Sequence, residues 1–98
     1  AIADAKTAIG TAIANETTDY YNSKYVNTEA SAAADLATYL KSRGQAIASD
    51  VANANTNVTV EYDTSSFKFT ITYKKDHNKK SESSAIGVGT YMSWTDSL

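Results

Sequence analysis

The chain of 98 residues is 42% hydrophobic and 20% charged, which places it with single small globular domains rather than with disordered chains. A formal net charge of −2 removes any general electrostatic drive toward nucleic acid or an anionic membrane. Cysteine is absent, so disulfides, thiolate zinc sites and cysteine nucleophiles are excluded.

Proline is absent as well, and the bias toward Ala, Thr, Ser and Asn, with seven Tyr, favours an extracellular, polymer-forming surface. No stretch reaches the roughly 18–20 apolar residues that span a bilayer, and no signal peptide is visible. The sequence opens at Ala1 without a methionine, already inside a helical pattern. That suggests a processed or trimmed chain.

From Ala1 to about Tyr21, Ile2, Ile9 and Ile13 recur at spacings of seven and four, with Ala5, Ala8 and Ala12 completing the stripe. These spacings fall on one side of an α-helix, with Asp4, Lys6 or Thr7, Thr11 and Asn15 opposite. Alanine buries little area, so this helix needs a sheet to lie on. Asn22 to Asn27 reads as an irregular connection. Thr28 is then an N-cap with Glu29 in the first turn. A helix to about Ser42 buries Ala33, Leu36, Ala37 and Leu40, and Gly44 supplies its C′ position. A further short helix, from Gln45 to about Asn53, places Ile47 and Val51 on one side.

From Asn57 the period changes to two. Val58, Val60 and Tyr62 alternate with Thr59 and Glu61, and Phe67, Phe69, Ile71 and Tyr73 alternate with Lys68, Thr70 and Thr72. Both runs are β-branched or aromatic and predict strands with one buried face, joined as a hairpin by the polar turn Asp63 to Ser66. Lys74 to Ser84 is a hydrophilic loop, and Ile86, Val88, Tyr91, Met92 and Trp94 form a third, less regular strand. The expected fold class is α+β: an N-terminal helix on a three- or four-stranded antiparallel meander, with short helices in the connection between them. One domain covers 1–98, divided into a helix over 1–22, a connection over 23–56 and a meander over 57–98. The core is expected at Ile2, Ile9, Ile13, Leu36, Leu40, Val58, Val60, Phe67, Phe69 and Ile71.

Catalytic signals are missing. The single histidine, His77, has no second histidine as a metal partner and reads as a solvated loop residue. There is no Gly-x-Ser-x-Gly and no phosphate-cradling glycine loop. Asp63, Asp76, Glu82 and Asp96 are too scattered to nominate a metal site, so no metal or other cofactor is expected. Lys74, Lys75, Lys79 and Lys80 make one basic loop, a candidate contact for DNA or an anionic surface. Asp76 and Glu82 oppose that reading, and the loop has no arginine. The same lysines would also guard a sheet edge against aggregation. Asn15-Glu16-Thr17 and Asn57-Val58-Thr59 match the glycosylation acceptor pattern.

One stretch carries a family resemblance. Tyr20 and Tyr21 close the first helix, Asn22-Ser23-Lys24 makes a small polar turn, and Tyr25-Val26 precedes a helix holding Leu36 and Leu40. Residues 18–40 thereby resemble the end of the N-terminal helix in type IV pilins and type II secretion pseudopilins. There, paired aromatics, a turn, another aromatic and often a proline (here Val26) lead into a short helix with a leucine pair. The order of elements extends the likeness over the whole chain. The hydrophobic first half of the family's helix, with its early glutamate, is not in this sequence, and neither is a cysteine loop or a recognisable calcium loop.

The resemblance implies a non-enzymatic structural subunit, the head of a major pilin. It would associate with itself and with other pilins in a helical filament through the N-terminal helix. It would meet the membrane only through an upstream segment whose N-terminus is methylated. Attachment, twitching motility and aggregation at the cell surface would follow. The alternatives are a minor competence pilin binding DNA through the lysine loop, or a secretion pseudopilin.

Overall fold

In the computed structural model the described residues are 1–23, 29–74, 81–85 and 95–97, with side chains described for 1–22 and 36–74. The chain folds as α+β. Helix α1 spans Ile2–Ser23 and helix α2 spans Glu29–Ala54. Strands β1 (Val58–Asp63) and β2 (Lys68–Tyr73) form an antiparallel hairpin in the register Val58↔Tyr73, Val60↔Ile71 and Tyr62↔Phe69. The backbone of Ser81–Ala85 (β3) runs antiparallel beside β2, and that of Thr95–Ser97 (β4) beside β3.

The period-two pattern has a direct consequence. Val58, Val60, Tyr62, Phe69 and Ile71 share one face of the hairpin, and both helices lie on that face. Helix α2 covers β1, while α1 packs beside α2 and reaches both β1 and β2. Contacts from Glu16 to Arg43 and from Tyr20 to Tyr39 show that the two helices run antiparallel. Ala5, Ile9, Ile13 and Tyr20 from α1 meet Leu36, Leu40, Ile47, Ala48 and Val51 from α2 over the hairpin.

Helix α1 accommodates its β-branched pair by local hydrogen bonding. Thr17 Oγ1 donates to the Ile13 carbonyl at 2.7 Å and Thr18 Oγ1 to that of Ala14 at 3.1 Å, the back-bonding that lets Thr sit within a helix. At its other end α2 stops at Asn55, whose Nδ2 donates to the Val51 carbonyl at 2.9 Å and so satisfies a terminal acceptor.

Three expectations are corrected. The pair of short helices divided at Gly44 is one continuous helix of 26 residues. Gly44 is buried within it because the ring of Tyr62 occupies the space a Cβ would need. The glycine is there for close packing of β1 on α2, not to end a helix. Phe67 is not a core strand residue. It lies in the turn, half-buried, with φ of 58°. Part of the expected Lys74–Ser84 loop is strand, since Ser81–Ala85 pairs with β2. The third strand expected over Ile86–Trp94 lies outside the described residues, as do Thr28, the 24–28 part of the connection and His77.

Candidate functional site

Ile9, Ile13, Leu36, Leu40, Val58, Val60, Phe69 and Ile71 lie together in the buried core, and Ile2 is half-buried at its margin. Tyr62, Tyr20, Ile47, Ala48 and Val51 join them, although none of these stands among the expected core residues. Tyr62 shares the alternation of Val58 and Val60, and Ile47 and Val51 share the helical spacing of Leu36 and Leu40. Those were the available signals. Tyr20 stands seven residues after Ile13, the spacing that links Ile2 to Ile9, and that signal separates it from Tyr21.

Three surfaces are built on this core. The first is the outer side of α1. Residues Ala5, Ile9, Ile13 and Tyr20 seat one side of the helix. At 100° per residue, Asp4, Thr7, Thr11, Ala14, Asn15, Thr18 and Asn22 lie most nearly opposite, with Ala3, Gly10 and Tyr21 along one flank, and all of these are exposed. Tyr20 is 4% exposed and Tyr21 46%, so the aromatic pair divides between core and surface. Their rings meet edge to face, with centroids 5.5 Å apart. A Cβ at Gly10 would touch nothing, and the side presents mostly small or short polar groups, with the Asp4 carboxylate near its start.

This helix is held in place by a polar clamp. Glu16 Oε1 accepts from Arg43 Nε at 3.1 Å and Oε2 accepts from the Tyr39 hydroxyl at 2.8 Å. Both carboxylate oxygens are therefore used, one by a cation and one by a phenol. The hydrogen bond to Glu16, together with burial, raises the Tyr39 pKa above its ordinary value. The Tyr39 ring also packs on Tyr20, with centroids 5.3 Å apart.

The second surface is a groove between α2 and the hairpin turn, with a volume of about 520 Å³. Thr38, Lys41, Ser42 and Gln45 come from successive turns of α2, Tyr62 from β1, and Thr64 and Phe67 from the turn. Asp63 organises that turn: its Oδ1 accepts from the backbone N–H of Ser65 at 2.7 Å and of Ser66 at 3.2 Å. These bonds hold its carboxyl below the usual carboxylate range. The N–H of Phe67 donates to the Asp63 carbonyl at 2.7 Å.

The third surface is the lysine loop. Lys74 is exposed, and its N–H closes the open end of the hairpin on the Asn57 carbonyl at 3.0 Å. Lys75, Lys79 and Lys80 lie outside the described residues. Among the described residues no cluster of His, Cys, Asp or Glu could hold a metal ion. No described helix is long and apolar enough to cross a membrane. Compared with protein-family models, curated proteins and solved structures, the chain matches none of them. Function must therefore be argued from the residues and their geometry.

Proposed function

We propose that this chain is the globular head of a pilin-like structural subunit, non-enzymatic, that assembles at the cell surface into a filament through α1. The observation that carries the reading is the two-sided character of α1. One side is seated on α2 and the hairpin by Ala5, Ile9, Ile13 and Tyr20. The other, from Ala3 to Asn22, is exposed and carries mostly small or short polar side chains, with Asp4 as its charged residue. A helix that served only its own domain would gain from charged or long residues on its solvent side, which add helix propensity and ion pairs. Small groups instead let a second helix approach closely. Tyr21, at the end of this side, then supplies an aromatic contact to the neighbouring subunit. The aromatic pair Tyr20–Tyr21 and the pattern that follows it favour the pilin family over other helical assemblies.

The test is made on the full-length protein in the cells that produce it. Immunogold labelling with antiserum to this chain is expected to decorate surface filaments. Gly10→Trp is expected to abolish those filaments while the purified head melts no lower than the wild type, because a Cβ at Gly10 meets nothing in the monomer and glycine is the poorer helix former. Label confined to the cell interior would overturn the reading. Normal filaments in the Gly10→Trp variant would overturn the assignment of the α1 interface.

A further inference from the structure

The two acceptor triplets of the sequence, Asn15-Glu16-Thr17 and Asn57-Val58-Thr59, are placed in opposite ways by the fold. Transfer of a glycan to asparagine needs the amide and the hydroxyl two residues on to be presented together to one enzyme, at the surface. In α1 the first triplet does not allow this. Residues two apart on a helix point about 200° apart, and the Thr17 hydroxyl is spent on the Ile13 carbonyl at 2.7 Å. Asn15 also lies on the exposed side of α1 through which assembly is proposed, where a glycan would keep a second helix away.

The second triplet is extended. Val58 begins β1, and the Lys74 N–H donates to the Asn57 carbonyl at 3.0 Å, which carries the hairpin pairing one residue beyond Val58↔Tyr73. Alternation then sets Asn57 and Thr59 on one face and Val58 on the other. Val58 is 1% exposed in the core, whereas Asn57 is exposed and Thr59 half-buried. Both helices pack on the Val58 face and not on that of Asn57 and Thr59. Beside Asn57 the outer face carries a shallow depression of about 500 Å³, lined by Thr59, Glu61, Thr72, Tyr73 and Lys74. Hydroxyls and charges of both signs there offer hydrogen bonds to a first sugar.

We infer that Asn57 is an N-glycosylation site and that Asn15 is not. The donor is a glycan carried on a polyprenyl phosphate or pyrophosphate, used outside the cytoplasm. The Asn57 amide nitrogen forms a bond to the anomeric carbon as the bond from that carbon to the phosphate oxygen breaks. The lipid phosphate leaves with the electron pair, and the amide proton passes to a carboxylate of the transferase. Strand β1 stands at the end of the order β1-β2-β3-β4. A bulky polar glycan at the residue before it discourages edge-to-edge pairing between neighbouring copies. The inference rests on the cell-surface part of the proposed function and not on the filament.

The test uses the full-length protein isolated from the cells that produce it. Trypsin separates the two acceptors, leaving Asn15 in peptide 7–24 and Asn57 in peptide 44–68. Mass spectrometry is expected to find 44–68 heavier by a chain of sugar residues and 7–24 at its sequence mass. Electron-transfer fragmentation is expected to place the addition on Asn57. Asn57→Gln and Thr59→Ala should each return 44–68 to its sequence mass, while Thr59→Ser, which restores the hydroxyl, should keep the glycan. The inference is overturned by a bare Asn57 in the wild type, by sugar on Asn15, by sugar on a serine or threonine of 44–68 in place of Asn57, or by a glycan that survives Thr59→Ala. The two readings fail separately. Glycosylated Asn57 in a surface protein that forms no filaments counts against the filament alone, and filaments of unmodified subunits count against this site alone.

Discussion

At the scale of single residues, Gly44 and Phe67 break local rules in opposite directions, and each does so for Tyr62 or its surroundings. Gly44 gives up helix propensity, worth about 1 kcal/mol against alanine, so that Tyr62 can press against the α2 backbone. Alanine there would overlap a ring that cannot swing aside, pinned as it is by Lys41 and Phe69. Gly44→Ala is therefore expected to destabilise the fold by about 2 kcal/mol despite its better propensity, read from the midpoint of urea unfolding. Phe67→Asn should behave differently. The loss of a half-buried ring and the relief of its backbone strain are each about 1 kcal/mol and opposite in sign. Its unfolding midpoint is expected to stay close to that of the wild type.

Asp63 is the third residue of note, since its carboxylate holds the turn. Its folded pKa is depressed, chiefly by the hydrogen bond from the Ser65 N–H and then by that from Ser66. Its stabilisation is therefore present above the ordinary carboxylate value of about 4 and fades as pH falls through the folded value. Asp63→Asn, which keeps an acceptor oxygen but does not titrate, is expected to remove that part of the acid sensitivity.

At the scale of elements, the question is what registers α1 on α2. Both stripes are rich in alanine, so hydrophobic area alone defines their axial offset weakly. The Glu16–Arg43–Tyr39 clamp and the Tyr20–Tyr39 ring contact supply the offset. Arg43 is 41% exposed, so its ion pair is worth about 0.5 kcal/mol after solvent screening. The phenol–carboxylate bond, with Glu16 only 18% exposed, should contribute about 1–2 kcal/mol. A double-mutant cycle of Glu16→Ala with Tyr39→Phe should accordingly show the larger coupling, and one with Arg43→Ala the smaller.

The same clamp sets an alkaline limit. Tyr39 is raised above its ordinary pKa of about 10 by the hydrogen bond to Glu16 and by burial, and Tyr62 is raised by burial. The folded state thus retains these protons more tightly than the unfolded chain. Stability is full below about pH 10 and declines as pH rises through the folded values. Thermal melts from pH 8 to 11 should show that decline, and Tyr39→Phe should reduce it.

At the scale of the whole molecule, the fold is elongated, 50 × 22 × 19 Å, with its long direction matched to two helices of about 33 and 39 Å. The exposed side of α1 and the groove beside α2 are separate surfaces, so the assembly proposed for α1 would leave the groove uncovered. Gly10→Ala distinguishes these scales. It should stabilise the isolated head by about 0.5–1 kcal/mol through propensity alone, since the added methyl meets nothing. On the proposed assembly through α1, the same methyl should weaken close helix packing, seen as fewer or shorter filaments.

What the sequence determined by itself is the class of each long segment. Two periodicities, near 3.6 over Ile2 to Ile13 and 2.0 over Val58 to Tyr73, dictate helix and hairpin and identify which side of each is buried. Local pattern could not decide whether Gly44 ends a helix or admits a ring, because Tyr62 arrives from 18 residues away in the chain. It likewise could not show that Phe67 leaves the strand alternation for a left-handed turn. The groove was illegible for the same reason. Thr38, Lys41, Ser42 and Gln45 read as an ordinary solvated helix side until the hairpin turn is laid against them. Composition and spacing report what each element must bury. Which side chains meet across two elements is decided by how those elements dock, and only the tertiary structure holds that information.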